Sequence, residues 1–180
     1  MPYLTAAVVL VGLLCAANTV LMLGVVRRLR EHEARLPAAG GFPSLGLPPV
    51  GAVLPSFSAV CTTGERIGSA DLPLPAVIAF FDVGCEPCQE KAPRFADEAT
   101  SLPELNVLSV VVGEPGAMSA ALELAGPVVV EAEEGGVSRA FGVRGFPAMC
   151  LVDENGRIAE SGGNLSLPGS AATLRKAARR

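Results

Sequence analysis

Two kinds of hydrophobic pattern follow one another along this chain. Residues 4 to 26, LTAAVVLVGLLCAANTVLMLGVV, carry no charge, and Thr5, Asn18 and Thr19 are their only hydrophilic interruptions. At roughly 1.5 Å per residue, a helix over this run reaches about 34 Å, enough to cross a hydrocarbon core. The run therefore predicts one transmembrane helix. It is too long for the apolar core of a cleaved signal peptide, and Met1-Pro2-Tyr3 supplies no basic flank. Cys15 reads as an apolar membrane residue, because Leu14 stands where lipoprotein processing would need a small side chain. Residues 27 to 50 begin as a charged juxtamembrane helix and end in a Pro/Gly-rich linker.

From 51 to 180 the pattern shortens into apolar runs split by polar and Pro/Gly positions. PSFSAV (55–60) predicts a first strand. PAVIAFF (75–81), LNVLSVVVG (105–113) and PVVVE (127–131) read as strands buried on both faces. AMCLVD (148–153) and RIAESG (157–162), joined through D-E-N-G, predict a hairpin. Helices are expected over 86–100, 116–125 and 135–141, and in the closing LPGSAATLRKAARR. Pro87 falls in the first turn of its helix, where a missing N–H costs little, and Pro93 is expected to kink it. The alternation predicts an α/β domain with a mixed β-sheet flanked by helices, preceded by one N-terminal transmembrane helix.

Composition narrows the function. Of 180 residues, 50% are hydrophobic, and the net charge is −4. No basic stripe occurs outside the membrane flank and the last few residues, which excludes nucleic acid as a partner. Arg175, Lys176, Arg179 and Arg180 read as a solvated helix end, favourable to the helix dipole.

The candidate chemistry lies in FFDVGCEPCQEK (80–91). Cys85 follows a buried strand and opens a helix, where unpaired N–H groups and the dipole favour a thiolate. Cys88 is one turn later, placed to attack a mixed disulfide from inside the fold. This spacing makes Cys85 the nucleophile and Cys88 the resolving thiol, with Glu86 and Pro87 between them. Zinc competes poorly. A structural site needs four Cys or His ligands, the sole histidine is His32, and Cys61 and Cys150 are single. A purely structural disulfide would close too short a loop to constrain much chain. Downstream, GVRGFPAM (142–149) places Phe146-Pro147 before a strand. Coupled to the cysteine pair, it is read as a cis peptide bringing backbone groups up to the thiols. Cys150 is expected to be a buried free thiol. Cys61, in the turn-like CTTGER, is a candidate for exposure, and a Cys61–Cys150 bridge stays open.

Residues 51 to 180 resemble the TlpA/ResA-type branch of the thioredoxin-like superfamily. The matching pieces are GAVLPSFS (51–58), FFDVGCEPCQEKAP (80–93), GVRGFPA (142–148) and LVDENGRI (151–158), in family order. The anchor and RRLREHEARLP further resemble membrane-tethered MauD-like proteins. The resemblance implies a thioredoxin fold, with Cys85 and Cys88 as the reactive pair and Pro147 as the cis-proline facing them. Three positions depart from the family pattern. Gly84 replaces the common tryptophan, Ala79 stands where a carboxylate is often buried, and Lys91 stands where a glutamate is frequent. Asp82 and Glu86 become the candidates for moving the Cys88 proton.

Topology is contested by two signals. Arg27, Arg28, Arg30 and Arg35 follow the anchor, which by the positive-inside rule leaves the domain cytoplasmic. The resemblance implies an extracytoplasmic domain acting on exported proteins, and tethering suits that side. The expected function is a membrane-tethered thiol–disulfide oxidoreductase, in the reductase direction, acting on a client protein. Such an enzyme needs no bound cofactor or metal, but a membrane electron donor such as a thiol transporter must regenerate it. A non-catalytic redox-sensing or client-binding module is the alternative. A peroxidase would call for a proline/threonine setting ahead of a single attacking cysteine, which FDVGC lacks.

Overall fold

The computed structural model describes residues 45–167 and the single position Gly12. Apart from Gly12, the expected span over 4–26 lies outside the described residues, as do positions 27–44 and, beyond Leu167, the helix expected at the C-terminus. Among the described residues, no helix is long and apolar enough to cross a membrane.

The elements in chain order are β1 (Ser58–Val60), β2 (Arg66–Gly68), β3 (Ala76–Asp82), α1 (Glu86–Thr100), β4 (Asn106–Val112), α2 (Ala117–Glu123), β5 (Val128–Glu131), α3 (Gly136–Phe141), β6 (Ala148–Val152) and β7 (Ile158–Gly162). The five-stranded sheet has the order β5-β4-β3-β6-β7. β3 runs parallel to β4, and β4 to β5, whereas β6 is antiparallel to both β3 and β7. This is a thioredoxin-like mixed sheet flanked by helices.

The central strands are continuous apolar runs because both of their faces are covered. Val77, Ala79 and Phe81 pack with Val107, Val111, Met149 and Leu151 beneath Ala92, Phe95 and Ala96 of α1. Ile78 and Phe80 point the other way, into a cluster with Leu108, Val110, Phe57 and Phe141. The Phe80 and Phe141 rings lie 5.2 Å apart, and Phe81 meets Phe95 at 5.6 Å. α1 contains both prolines, and Pro93 sits inside it without ending it. Pro93 lacks an N–H, so the Gln89 carbonyl loses its partner in the i→i−4 ladder.

Two expectations are corrected. The CTTGER stretch is the turn of a hairpin, β1 pairing antiparallel with β2, whose three residues are too few to show a period. Cys61 is buried rather than exposed, at 6% accessibility, because it bridges to Val129 of β5, the edge strand of the sheet. A Cys61–Cys150 bridge is also ruled out. Cys150 lies on β6, with β5, β4 and β3 between it and Cys61. At about 4.8 Å per strand that separation far exceeds the roughly 7 Å a disulfide allows between Cα atoms, and both thiols are free.

The segment before β1 joins the domain. Leu45 and Leu47 pack against the Phe57–Phe141 cluster, and the Leu45 carbonyl accepts the Arg144 N–H at 2.8 Å. Gly46 (φ +75°) and Gly142 (φ +69°) lie back to back. A Cβ on Gly46 would fall 1.7 Å from the Gly142 carbonyl oxygen, and one on Gly142 would fall 2.9 Å from the Gly46 oxygen. Gly142 also ends α3 in the left-handed conformation. Gly142→Ala should therefore lower the unfolding free energy by at least about 1–2 kcal/mol, the left-handed penalty alone. Urea denaturation measures this, and an unchanged midpoint would contradict the close packing.

Candidate active site

β3 carries the cysteine pair to the end of the sheet. Past Asp82 the chain turns: the Val83 N–H still donates to the Val112 carbonyl at 3.1 Å, and the Gly84 N–H donates to Asp82 Oδ1 at 2.7 Å. The Cys85 N–H donates to the Asp82 carbonyl at 3.2 Å, which aims the next residues into α1. Cys85 is the N-cap of α1, in extended conformation (φ −89°, ψ 112°). Its carbonyl accepts the N–H groups of Cys88 and Gln89 at 3.0 and 3.1 Å. No side chain caps this helix end, so the half-buried sulfur stands where a capping oxygen usually would. Glu86 in the first turn complements the dipole and is exposed, as is Pro87.

Cys88 differs from Cys85 in burial: it is fully enclosed under the helix. Burial, and then the hydrogen bond of its thiol to Cys85, push Cys88 from the ordinary 9.0 up to about 12. Cys88 therefore holds its proton at neutral pH. The Asp82 carboxylate adds to this upward push through its charge, whereas Glu86 is not among the causes. Of the two carboxylates considered from sequence, Asp82 is the one whose charge reaches Cys88, and a backbone hydrogen bond at Asp82 pulls the thiol the other way.

The second half of the site comes from the turn before β6. The Phe146–Pro147 peptide is cis, and Cys85 Sγ lies 3.6 Å from the Phe146 carbonyl oxygen as its donor. A second cis bond, Leu74–Pro75, precedes β3, and nothing in the sequence pattern marks it out. The structure thus brings Cys85, Cys88, Phe146, Pro147 and Asp82 to one end of the sheet.

Two residues of the site were not picked out from sequence. Lys91, half-buried one turn beyond Cys88, donates to the Gly163 carbonyl at 2.8 Å and to Asn164 Oδ1 at 2.6 Å. Burial pushes its ammonium down from the ordinary lysine value. Lys91 thereby ties α1 to the loop behind Pro147. Its position against the family glutamate was the available signal. Leu45 is the other: it lines a groove of about 450 Å3 together with Pro87, Lys91, Phe146 and Pro147. Beneath the site, Ala79 pairs in register with Ser109, whose buried hydroxyl has no hydrogen-bond partner among the described residues. The described residues also contain no group of three His, Cys, Asp or Glu side chains that could hold a metal ion.

Residues 50–161 match the family model described as the AhpC/TSA family. No curated protein sequence matches the chain. Among solved structures, a thiol:disulfide interchange protein of the thioredoxin family from Chlorobium tepidum is similar at 22% identity and a TM-score of 0.57. The match covers 71% of this chain and 96% of that one. A secreted Mycobacterium tuberculosis disulfide oxidoreductase, homologous to E. coli DsbE, is similar at 20% identity and a TM-score of 0.55, over 67% and 95% of the two chains. MTB DsbF, in mixed oxidised and reduced forms, is similar at 25% identity and a TM-score of 0.54, over 67% and 93%. These likenesses agree with the fold described above.

The buried thiols predict an alkaline weakness of the reduced protein. Cys88 and Cys150 are each held up to about 12, so the folded chain keeps protons that the unfolded chain releases above 9.0. Their contribution to stability is complete below pH 9.0 and is lost as pH rises toward about 12. The urea midpoint should therefore fall between about pH 8 and about pH 10.5, and Cys150→Ala should shrink that fall. An equal fall in wild type and variant would remove Cys150 from the account.

Proposed function

We propose, from the premise that the chain belongs to the AhpC/TSA family, that it is a membrane-tethered thiol–disulfide oxidoreductase working as a reductase of client proteins. The observation that carries this reading is the asymmetry of the pair. Cys85 is half-buried at a helix N-terminus beside the Phe146 carbonyl, while Cys88 is buried, protonated and hydrogen-bonded to it. The resemblance to TlpA/ResA-type and MauD-like proteins supports the finer assignment and the direction.

In the forward cycle the Cys85 thiolate attacks a sulfur of the client disulfide. A Cys85–client disulfide forms, and the other client sulfur leaves as a thiolate and is protonated. Cys88 then gives up its proton and attacks the Cys85 sulfur. The Cys85–Cys88 disulfide closes, and the client departs with two thiols and two electrons. Asp82 is the group proposed to take the Cys88 proton. A membrane electron donor, of the thiol-transporter kind, returns two electrons and two protons. The 4–26 segment is the anchor, and the domain faces the extracytoplasmic side despite the arginines that follow it.

Three measurements test this. Cys88→Ser should accumulate mixed disulfides between Cys85 and client proteins, and Cys85→Ser should accumulate none. A sensing or binding module would show no trapped species in either variant. Asp82→Asn should slow closure of the Cys85–Cys88 disulfide by about a hundredfold at neutral pH, read by stopped flow on a preformed mixed disulfide. A membrane-impermeant maleimide applied to intact cells should label the domain without added reductant. Labelling that needs lysis would place the domain in the cytoplasm, and labelling that needs prior reduction would favour an oxidase.

A further inference from the structure

The groove beside the dithiol has one wall that the rest of the domain does not supply. Among the described residues, Pro87, Lys91, Phe146, Pro147 and Asn164 come from α1 and the loops around β6 and β7, while Leu45 comes from the segment ahead of β1. Four observations show Leu45 to be held in place. Its carbonyl accepts the Arg144 N–H at 2.8 Å. Its neighbour Gly46 is locked against Gly142 with no room for a Cβ on either side. Its Cδ2 lies 3.0 Å from where a Cβ on Gly145 would stand, and its Cδ1 lies 3.3 Å from the same point on Gly163. Leu45 therefore closes against both loops that flank Pro147.

The charges in the groove are already committed. Lys91 is bonded to Gly163 and Asn164, and Arg94 pairs with Glu90 at 2.8 Å. The apolar part of the groove's lining is Leu45, Pro87, Phe146 and Pro147. The groove shares Phe146 with the Cys85 contact, so a chain whose sulfur has reached Cys85 has this groove within reach of a neighbouring side chain.

We infer that Leu45 is a specificity-determining residue, selecting clients that carry an apolar side chain next to their reactive cysteine. This rests on the oxidoreductase reading above. A shaped apolar pocket discriminates one side chain from a smaller one by roughly 10–200-fold, and Leu45 supplies a share of that through one wall.

The test uses the full-length chain in detergent and three disulfide peptides that differ only at the position next to the cysteine: leucine, glycine or glutamate. Exchange with a small aromatic disulfide is followed in parallel. Wild type should prefer the leucine peptide through KM. Leu45→Ala should lower the leucine-over-glycine preference by about tenfold, again through KM. Leu45→Lys should turn the preference toward the glutamate peptide, a gain that misfolding cannot mimic. Equal peptide preferences in wild type, or preferences unchanged in both variants, would overturn the role of Leu45 while leaving the oxidoreductase reading intact. Failure of wild type to exchange even with the small disulfide would instead remove that reading, and this inference with it.

Discussion

Phe80 faces Ala148 across the antiparallel pair formed by β3 and β6. That register decides where chemistry can occur in this molecule. β3 ends at Asp82 and β6 begins at Ala148, and antiparallel neighbours put the end of one beside the start of the other. The turn holding Cys85 and the turn holding Pro147 must then meet, although Cys85 and Phe146 are 61 positions apart. Burial of Ile78 and Phe80 on one face, and Val77 and Phe81 on the other, fixes the pairing, because a one-residue slip would exchange the two faces. The 3.6 Å contact between sulfur and carbonyl is thus set by apolar packing well below it.

The helix start and the core divide the two sulfurs into different environments. Cys85 sits where the chain leaves the sheet and the first-turn N–H groups have few partners. Cys88, three residues on, has already turned inward with Ala92 and Phe95. Ala79, the position at which the resemblance would place a buried carboxylate, packs inside the α1 cluster. The carboxylate felt by Cys88 is instead Asp82 at the strand end, where solvent is nearer. Lys91 reaches into the loop at Gly163 and serves as a brace.

Much of this was legible in the sequence, for physical reasons that differ by element. β3, β4 and α1 were placed to within a residue because continuous apolar runs and a proline in the first helical turn are strong local signals. The cis state of Phe146–Pro147 was inferred from its partnership with the cysteine pair, not from its own neighbours. β2 was missed because Arg66-Ile67-Gly68 is too short to show alternation, and Cys61 was misplaced with it. Leu45 was assigned to a linker because its neighbours are Gly and Pro. Only the fold shows that Gly46 is there to fit against Gly142. The site's long-range parts, Lys91 with Gly163 and Leu45 with Arg144, depend on contacts that no local pattern encodes.

The uneven burial of the thiols has a practical side. Among the described residues, Cys61, Cys88 and Cys150 are buried, and Cys85 alone is partly open to solvent. In the reduced, folded domain a bulky thiol reagent meets a single sulfur, so its stoichiometry doubles as a readout of tertiary integrity. One equivalent per domain reports an intact core, and each further equivalent reports that a particular layer of it has opened.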